Sequence, residues 1–148
     1  MMNILTRVIA TGCYTGYVPK APGTAGSMLA VLIIWAMAPV APLYYLTITV
    51  LLIPVGIWSP GQAEKEFGYD AAPIVIDEVI GVFITCALVP HTPQVLGLGF
   101  VLFRIIDIAK PFPVNRSQNM PGGLGVVIDD ILAAVYAHLV LRGILMFL

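Results

Sequence analysis

The chain has 148 residues, of which 59% are hydrophobic and only 10% charged, with a mean hydropathy of +0.98 and a formal net charge of −1. Since soluble proteins carry roughly 25% charged residues, this composition predicts a membrane protein with a single domain over residues 1–148. The scattered Lys and Arg exclude a basic surface for nucleic acid. Cys13 and Cys86 have the spacing of neither a metal site nor a disulfide framework.

The N-terminal segment is predicted to be an interfacial helix. Its apolar stretch is too short and interrupted for a secretory signal, so we expect no cleavage. Ile4, Leu5, Val8 and Ile9 fall on one side of a helix of one or two turns. Such a helix lies on the surface of the bilayer.

Five apolar helices are predicted in the rest of the chain. They cover about residues 24–38, 43–58, 74–89, 94–108 and 126–148. The first two are short enough to form a tilted or partly buried hairpin. Residues 61–73 are predicted to be a solvated polar link, and a Pro- and Gly-rich stretch at 111–125 precedes the last helix. The expected fold class is therefore all-α, an integral membrane bundle of about five apolar helices.

Alternating helix directions place nearly all charged residues at one face of the membrane. The first, third and fifth helices start there, and the second and fourth end there. The opposite face receives only His91 and Arg142, so six of the seven Lys and Arg lie together. The positive-inside rule assigns that face to the cytoplasm. The sequence predicts one dense polar site on the cytoplasmic side.

Five carboxylates lie inside or at the edges of apolar segments. They are Asp77 and Glu78 in IVIDEVIGVFIT, Asp107 in FRIIDIAKPFP, and Asp129 and Asp130 in VVIDDILAAVYA. A carboxylate is costly in hydrocarbon unless it is paired, wetted or bound to a cation. Oxygen ligands without nearby His or Cys favour magnesium over zinc or copper. Neighbours on a helix diverge by about 100°, so one member of each adjacent pair can face a metal.

Cationic side chains alternate with these carboxylates. Arg104 is three residues before Asp107 and shares its helical face, and Lys110 continues this row if the helix persists that far. Arg and Lys both suit contacts to phosphate. The alternatives are a purely structural Arg104–Asp107 ion pair, and interfacial snorkelling for Lys110 and Lys20.

Two Gly-rich segments supply backbone donors for an anion. Pro22 and Gly23 introduce the helix that begins near Thr24, and the free N–H groups of its first turn can bind phosphate. The GGLG segment at 122–125 provides a second flexible backbone, unless it only permits a turn.

Four ordered blocks resemble the phosphatidylglycerophosphatase A family. They are GYVPKAPGTAGS, IVIDEVIGVFIT, FRIIDIAKPFPV and GGLGVVIDDILAAVYA. The resemblance implies a magnesium-dependent phosphatase that converts phosphatidylglycerophosphate to phosphatidylglycerol and phosphate. It also implies an all-α bundle in the bacterial cytoplasmic (inner) membrane, with a site facing the cytoplasm.

The same resemblance suggests a role for each site residue. The expected magnesium ligands are carboxylates near helix starts: Asp77, Glu78, Asp129 and Asp130. Asp107 is expected to be a further catalytic ligand or the group that orients Arg104. The expected phosphate-binding residues are cationic or lie at the start of the first apolar helix: Lys20, Pro22, Gly23, Thr24, Arg104 and Lys110. A metal-activated water would attack phosphorus, with an aspartyl-phosphate intermediate as the alternative.

Other functions fit the residues less well. Histidine-based lipid phosphatases need His near the charges, whereas His91 and His138 lie apart from them and are expected to be structural. CDP-alcohol phosphotransferases carry DG and AR dipeptides in one acidic stretch, which this chain lacks. An ion-coupled transporter needs acidic groups along a path across the bilayer. Asp77 or Asp129 has the alternative role of a carboxylate favoured at a helix start.

Overall fold

The computed structural model describes residues 2–69, 71–114 and 123–148, and within them the fold is all-helical. A short helical turn, Thr15–Tyr17, follows the first helix. The α-helices are α1 (Ile4–Ala10), α2 (Pro22–Ala36), α3 (Pro42–Phe67), α4 (Ile76–Thr85), α5 (Pro93–Ala109) and α6 (Gly123–Leu145). The all-α class predicted from the sequence is confirmed.

Helix α3 is longer than predicted, because the segment expected to be a solvated link continues it to Phe67. That segment is rich in Gln, Ala, Glu and Lys, which are good helix formers. Glu66 also anchors the last turn to the N-terminal segment. Its carboxylate pairs with Arg7 and accepts a hydrogen bond from the backbone N–H of Met2 at 3.0 Å. The predicted loop is therefore wrong over residues 61–67, and Asp70, also assigned to it, lies outside the described residues.

Helix α4 is shorter than predicted and is buried at the centre of the bundle. Side chains from other segments bind its carboxyl end, where the last carbonyls of a helix lack partners. The Tyr45 hydroxyl donates to the Phe83 carbonyl at 2.7 Å. Ring nitrogens of His91 and His138 lie 3.1 and 3.0 Å from two further carbonyl oxygens at this end. These contacts agree with the structural role expected for both histidines.

Close packing of α2 against α4 brings the starts of both helices together. A Cβ atom on Gly26 would lie 2.9 Å from the Cβ of Val75, so only glycine allows this approach. Since α5 ends and α6 starts at the same end of the bundle, the charged residues of α4, α5 and α6 meet there, beside the start of α2. This end of the bundle carries the candidate site.

Only α3, among the described residues, is long and apolar enough to cross a membrane, and α2 is a shorter apolar helix. The prediction of five apolar membrane helices is therefore not confirmed beyond its helical class. Many large apolar side chains are nevertheless exposed on the outside of the bundle, including Leu43 and Ile108, which are 72% and 71% exposed.

Candidate active site

Three carboxylates form a compact cluster at the charged end of the bundle. Asp77 and Glu78 lie in the first turn of α4, and Asp130 lies on α6. One oxygen from each lies within 4.8 Å of the others. Asp77 Oδ1, Glu78 Oε2 and Asp130 Oδ2 are buried and have no hydrogen-bond partner among the described residues. Unpartnered buried carboxylate oxygens at this spacing fit a divalent cation.

Arg104 borders this cluster from α5. Its Nη1 donates to Asp107 Oδ2 at 2.7 Å and lies 4.0 Å from Glu78 Oε1. Asp107 therefore pairs with Arg104, on the helical face that their spacing predicted, and the buried Nε–H of Arg104 has no acceptor within the described residues.

Lys110 lies near the site, but not on the helical face of Arg104 and Asp107 on which it was predicted. Helix α5 ends at Ala109, and Lys110 is its left-handed cap with φ of 44°, so it does not continue the Arg104–Asp107 row. Its Nζ instead donates to Asp129 Oδ2 on α6 at 2.6 Å. Burial acts to lower the pKa of Lys110, but the hydrogen bond to Asp129 and the neighbouring negative charges outweigh it and raise that pKa.

The charges of the site do not balance within the described residues. The ion pairs of Arg104 with Asp107 and of Lys110 with Asp129 leave the cluster of Asp77, Glu78 and Asp130 without a full counter-charge. Buried charges in proteins are paired or coordinate metals. The donor set is entirely carboxylate, which fits magnesium better than a thiophilic metal.

The start of α2 lies against this cluster. Pro22 occupies the first turn, and no side chain caps the helix. A Cβ on Gly23 would lie 2.3 Å from Glu78 Oε1 and 3.2 Å from Arg104 Nη1. Thr24 is exposed in the same turn. The positive end of α2 therefore points to the site, as its predicted anion-binding role requires.

Two of the predicted contributors are not placed in the site. Lys20 is exposed, with φ of 70°, and makes no ion pair in the part of the chain that the structure describes. Of the GGLG segment, Gly122 lies outside the described residues, and residues 123–125 form the first turn of α6. Their predicted phosphate contacts stay predictions.

Comparison with known proteins gives the family. The profile of the phosphatidylglycerophosphatase A family matches residues 8–145. This chain belongs to that family. Phosphatidylglycerophosphatase A of Escherichia coli K12 is 38% identical over 146 residues, covering 96% of this chain and 82% of the relative. The Haemophilus influenzae enzyme of that name is 34% identical over 142 residues, covering 93% and 87%.

A third relative has a different name. A putative phosphatidylinositol-3-phosphatase of Bacteroides thetaiotaomicron is 37% identical over 147 residues, covering 94% of this chain and 92% of the relative. No solved structure matches the chain significantly. Membership of the phosphatidylglycerophosphatase A family makes the chain a phosphatase.

The sequence could not separate the roles of the adjacent carboxylates Asp129 and Asp130. Both are buried in the first half of α6, yet Asp130 joins the cluster while Asp129 binds Lys110. The sequence indicated only that adjacent side chains on a helix diverge, so that Asp129 and Asp130 would face different partners. The closeness of Gly23 to Glu78 was also missed, and the PG dipeptide that opens α2 was the only sequence feature that marked this position. The metal-ligand roles of these carboxylates stay predictions.

Proposed function

We propose that this phosphatase depends on magnesium and hydrolyses phosphatidylglycerophosphate to phosphatidylglycerol and phosphate. The observation that carries the proposal is the cluster of Asp77, Glu78 and Asp130, whose buried oxygens lack both hydrogen-bond partners and a full counter-charge. These three carboxylates would hold the ion. Asp129, predicted as a fourth ligand, would act by holding Lys110.

The remaining groups are suited to a phosphomonoester. Arg104, oriented by Asp107, would donate from its unpaired Nε to a phosphate oxygen. Lys110 and the N–H groups at the start of α2 would add positive charge where negative charge develops. A carboxylate of the site would accept the proton of the attacking water. Bound magnesium supplies Lewis-acid activation of the phosphoryl group and of water at neutral pH.

The surface of the bundle supports a location in the bacterial inner membrane. Helix α3 is long and apolar enough to span a bilayer, and large apolar side chains are exposed on other helices. Exposed apolar surface of this extent marks a membrane or protein contact. The charged end would face the cytoplasm, because it holds most of the Lys and Arg.

The proposal is tested by phosphate release from the detergent-purified protein. We expect release from phosphatidylglycerophosphate with magnesium and none after chelation with EDTA. Phosphatidylinositol 3-phosphate should be assayed beside it, because one relative carries that name. Faster phosphate release from the inositol lipid would show that phosphatidylinositol 3-phosphate is the preferred substrate and would overturn the proposed head group. Full activity in EDTA would refute the metal site.

Carboxylate variants test the cluster itself. Glu78→Gln and Asp130→Asn should each lower kcat by about 10²-fold or more, because each removes a charge needed to hold the ion. Glu66→Gln is the matched control, since Glu66 binds Arg7 at the end of α3. Near-normal magnesium-dependent rates in both cluster variants would refute the proposed ligands, and a similar loss in the control would indicate a general effect of charge.

A further inference from the structure

An apolar groove opens between α2 and α5 at the end of the bundle opposite the carboxylates. Its volume is about 270 Å³, and its lining is formed by Val31, Leu32, Trp35, Pro93, Leu96 and Gly97. Almost all of this lining is apolar, so it offers ordered water very few hydrogen-bond partners. The groove therefore fits hydrocarbon.

The groove lies on the same face of both helices as the candidate phosphate-binding residues. On α5, Gly97 and Arg104 are two helical turns apart and share a face, about 10 Å from each other along the axis. On α2, Thr24 and Trp35 are three turns apart and also share a face, separated by about 16 Å. Because Gly23 lies beside Arg104, the seam between the two helices leads directly from the groove to the site.

Exposed apolar side chains cover the surface between the two ends of this seam. Met28 on α2 is 44% exposed and Val101 on α5 is 47% exposed. Met28 lies on the helical face of Thr24 and Trp35, between them, and Val101 lies on the face of Gly97 and Arg104, between those two. A flexible hydrocarbon chain can thus remain in contact with apolar surface from the site to the groove.

Gly97 has no packing role that explains its presence within a helix. A Cβ placed there would meet no atom within 4 Å, whereas a Cβ on Gly99 of the same helix would lie 3.0 Å from Cys86 Sγ. Glycine inside a helix costs about 0.5–1 kcal/mol relative to alanine. The missing side chain at Gly97 instead leaves the groove open.

We propose that the α2–α5 groove binds one acyl chain of the lipid substrate while its phosphate lies at Arg104 and the start of α2. The proposal rests on the proposed function and adds a chain-binding subsite to it. The substrate is then held at both ends of one seam, so that binding of the tail adds to the affinity for the long-chain lipid.

A filled groove tests the subsite. Gly97→Leu places a side chain in it, and Gly143→Leu on α6 is the matched control, because a Cβ there also meets no atom within 4 Å. We expect Gly97→Leu to raise KM for dioleoyl phosphatidylglycerophosphate about tenfold, with kcat unchanged. The kcat/KM for the dihexanoyl substrate should not change, and the control should behave as the wild type with both lipids.

Equal effects of Gly97→Leu on the two substrates, or no effect on either, would overturn the proposal. Native mass spectrometry of the detergent-purified protein with dioleoyl phosphatidylglycerophosphate measures binding without turnover. Retention of the lipid should be lost in Gly97→Leu and kept in Gly143→Leu. If the wild type released no phosphate from either lipid, the proposed function would fail. The retention measurement would still show whether the groove binds the acyl chain. Gly97→Ala, with its smaller side chain, should give an intermediate effect if Gly97→Leu unfolds.

Discussion

Replacing Gly23 with alanine tests whether the close approach of α2 sets the geometry of the site. The new Cβ would lie 2.3 Å from Glu78 Oε1, whereas ordinary van der Waals contact begins near 3.4 Å. The Glu78 carboxylate must therefore move by about 1 Å, and Arg104 Nη1 at 3.2 Å must also give way. A displacement of about 1 Å at a catalytic group costs about 10²-fold in rate. We expect kcat of Gly23→Ala to fall about a hundredfold.

Stability should change little in the same variant. The atoms nearest to the new methyl group are the ends of the flexible Glu78 and Arg104 side chains. Alanine is also the better helix former by about 1 kcal/mol. Gly26→Ala should differ, because its Cβ would contact the rigid branch point of Val75 at 2.9 Å. That variant should lose about 1–3 kcal/mol of stability.

The assay combines kcat, magnesium titration and thermal unfolding in detergent for both variants. Gly143→Ala is the control, since a Cβ there meets no atom within 4 Å. The Gly23 variant should unfold like the wild type yet turn over slowly, with a weakened response to magnesium. A normal kcat in correctly folded Gly23→Ala would show that the carboxylate position does not depend on α2, and would refute the reasoning.

Two further predictions concern an ion pair and a helix end. The pKa of Lys110 is raised above its usual 10.5, so the stability from its pair with Asp129 is complete below that pH and is lost as the pH rises through the higher folded value. The difference in melting temperature between wild type and Lys110→Met should therefore be constant from about pH 6 to about pH 9; a steep change within this range would contradict the assigned charge state. Tyr45→Phe removes the donor to the Phe83 carbonyl and should destabilise the protein by about 1–3 kcal/mol, because a buried acceptor loses its partner. Thermal unfolding measures this loss, and an unchanged melting temperature would show that the carbonyl finds another donor.

Part of the fold could be predicted from the sequence because hydrophobic patterning acts locally. The apolar segments placed most helices within a few residues of their observed bounds, such as α5 at Pro93–Ala109 against the predicted 94–108. The prediction was wrong for α3, where the polar residues after Trp58 remain helical. Polarity alone does not separate a loop from an exposed helical turn, and the contacts of Glu66 with Arg7 and Met2 are long-range.

The sequence alone determined that the protein is helical and that its charged residues gather at one end, because chain order and helix direction follow from the alternation of apolar segments and turns. Only the tertiary structure decided which charges meet. Asp129 and Asp130 are neighbours in the chain, yet one binds Lys110 and the other joins Asp77 and Glu78. The rotation of each helix about its axis selects between them, and packing against other helices sets that rotation. The approach of Gly23 to Glu78 has the same origin, since the distance between two helices depends on the side chains of both.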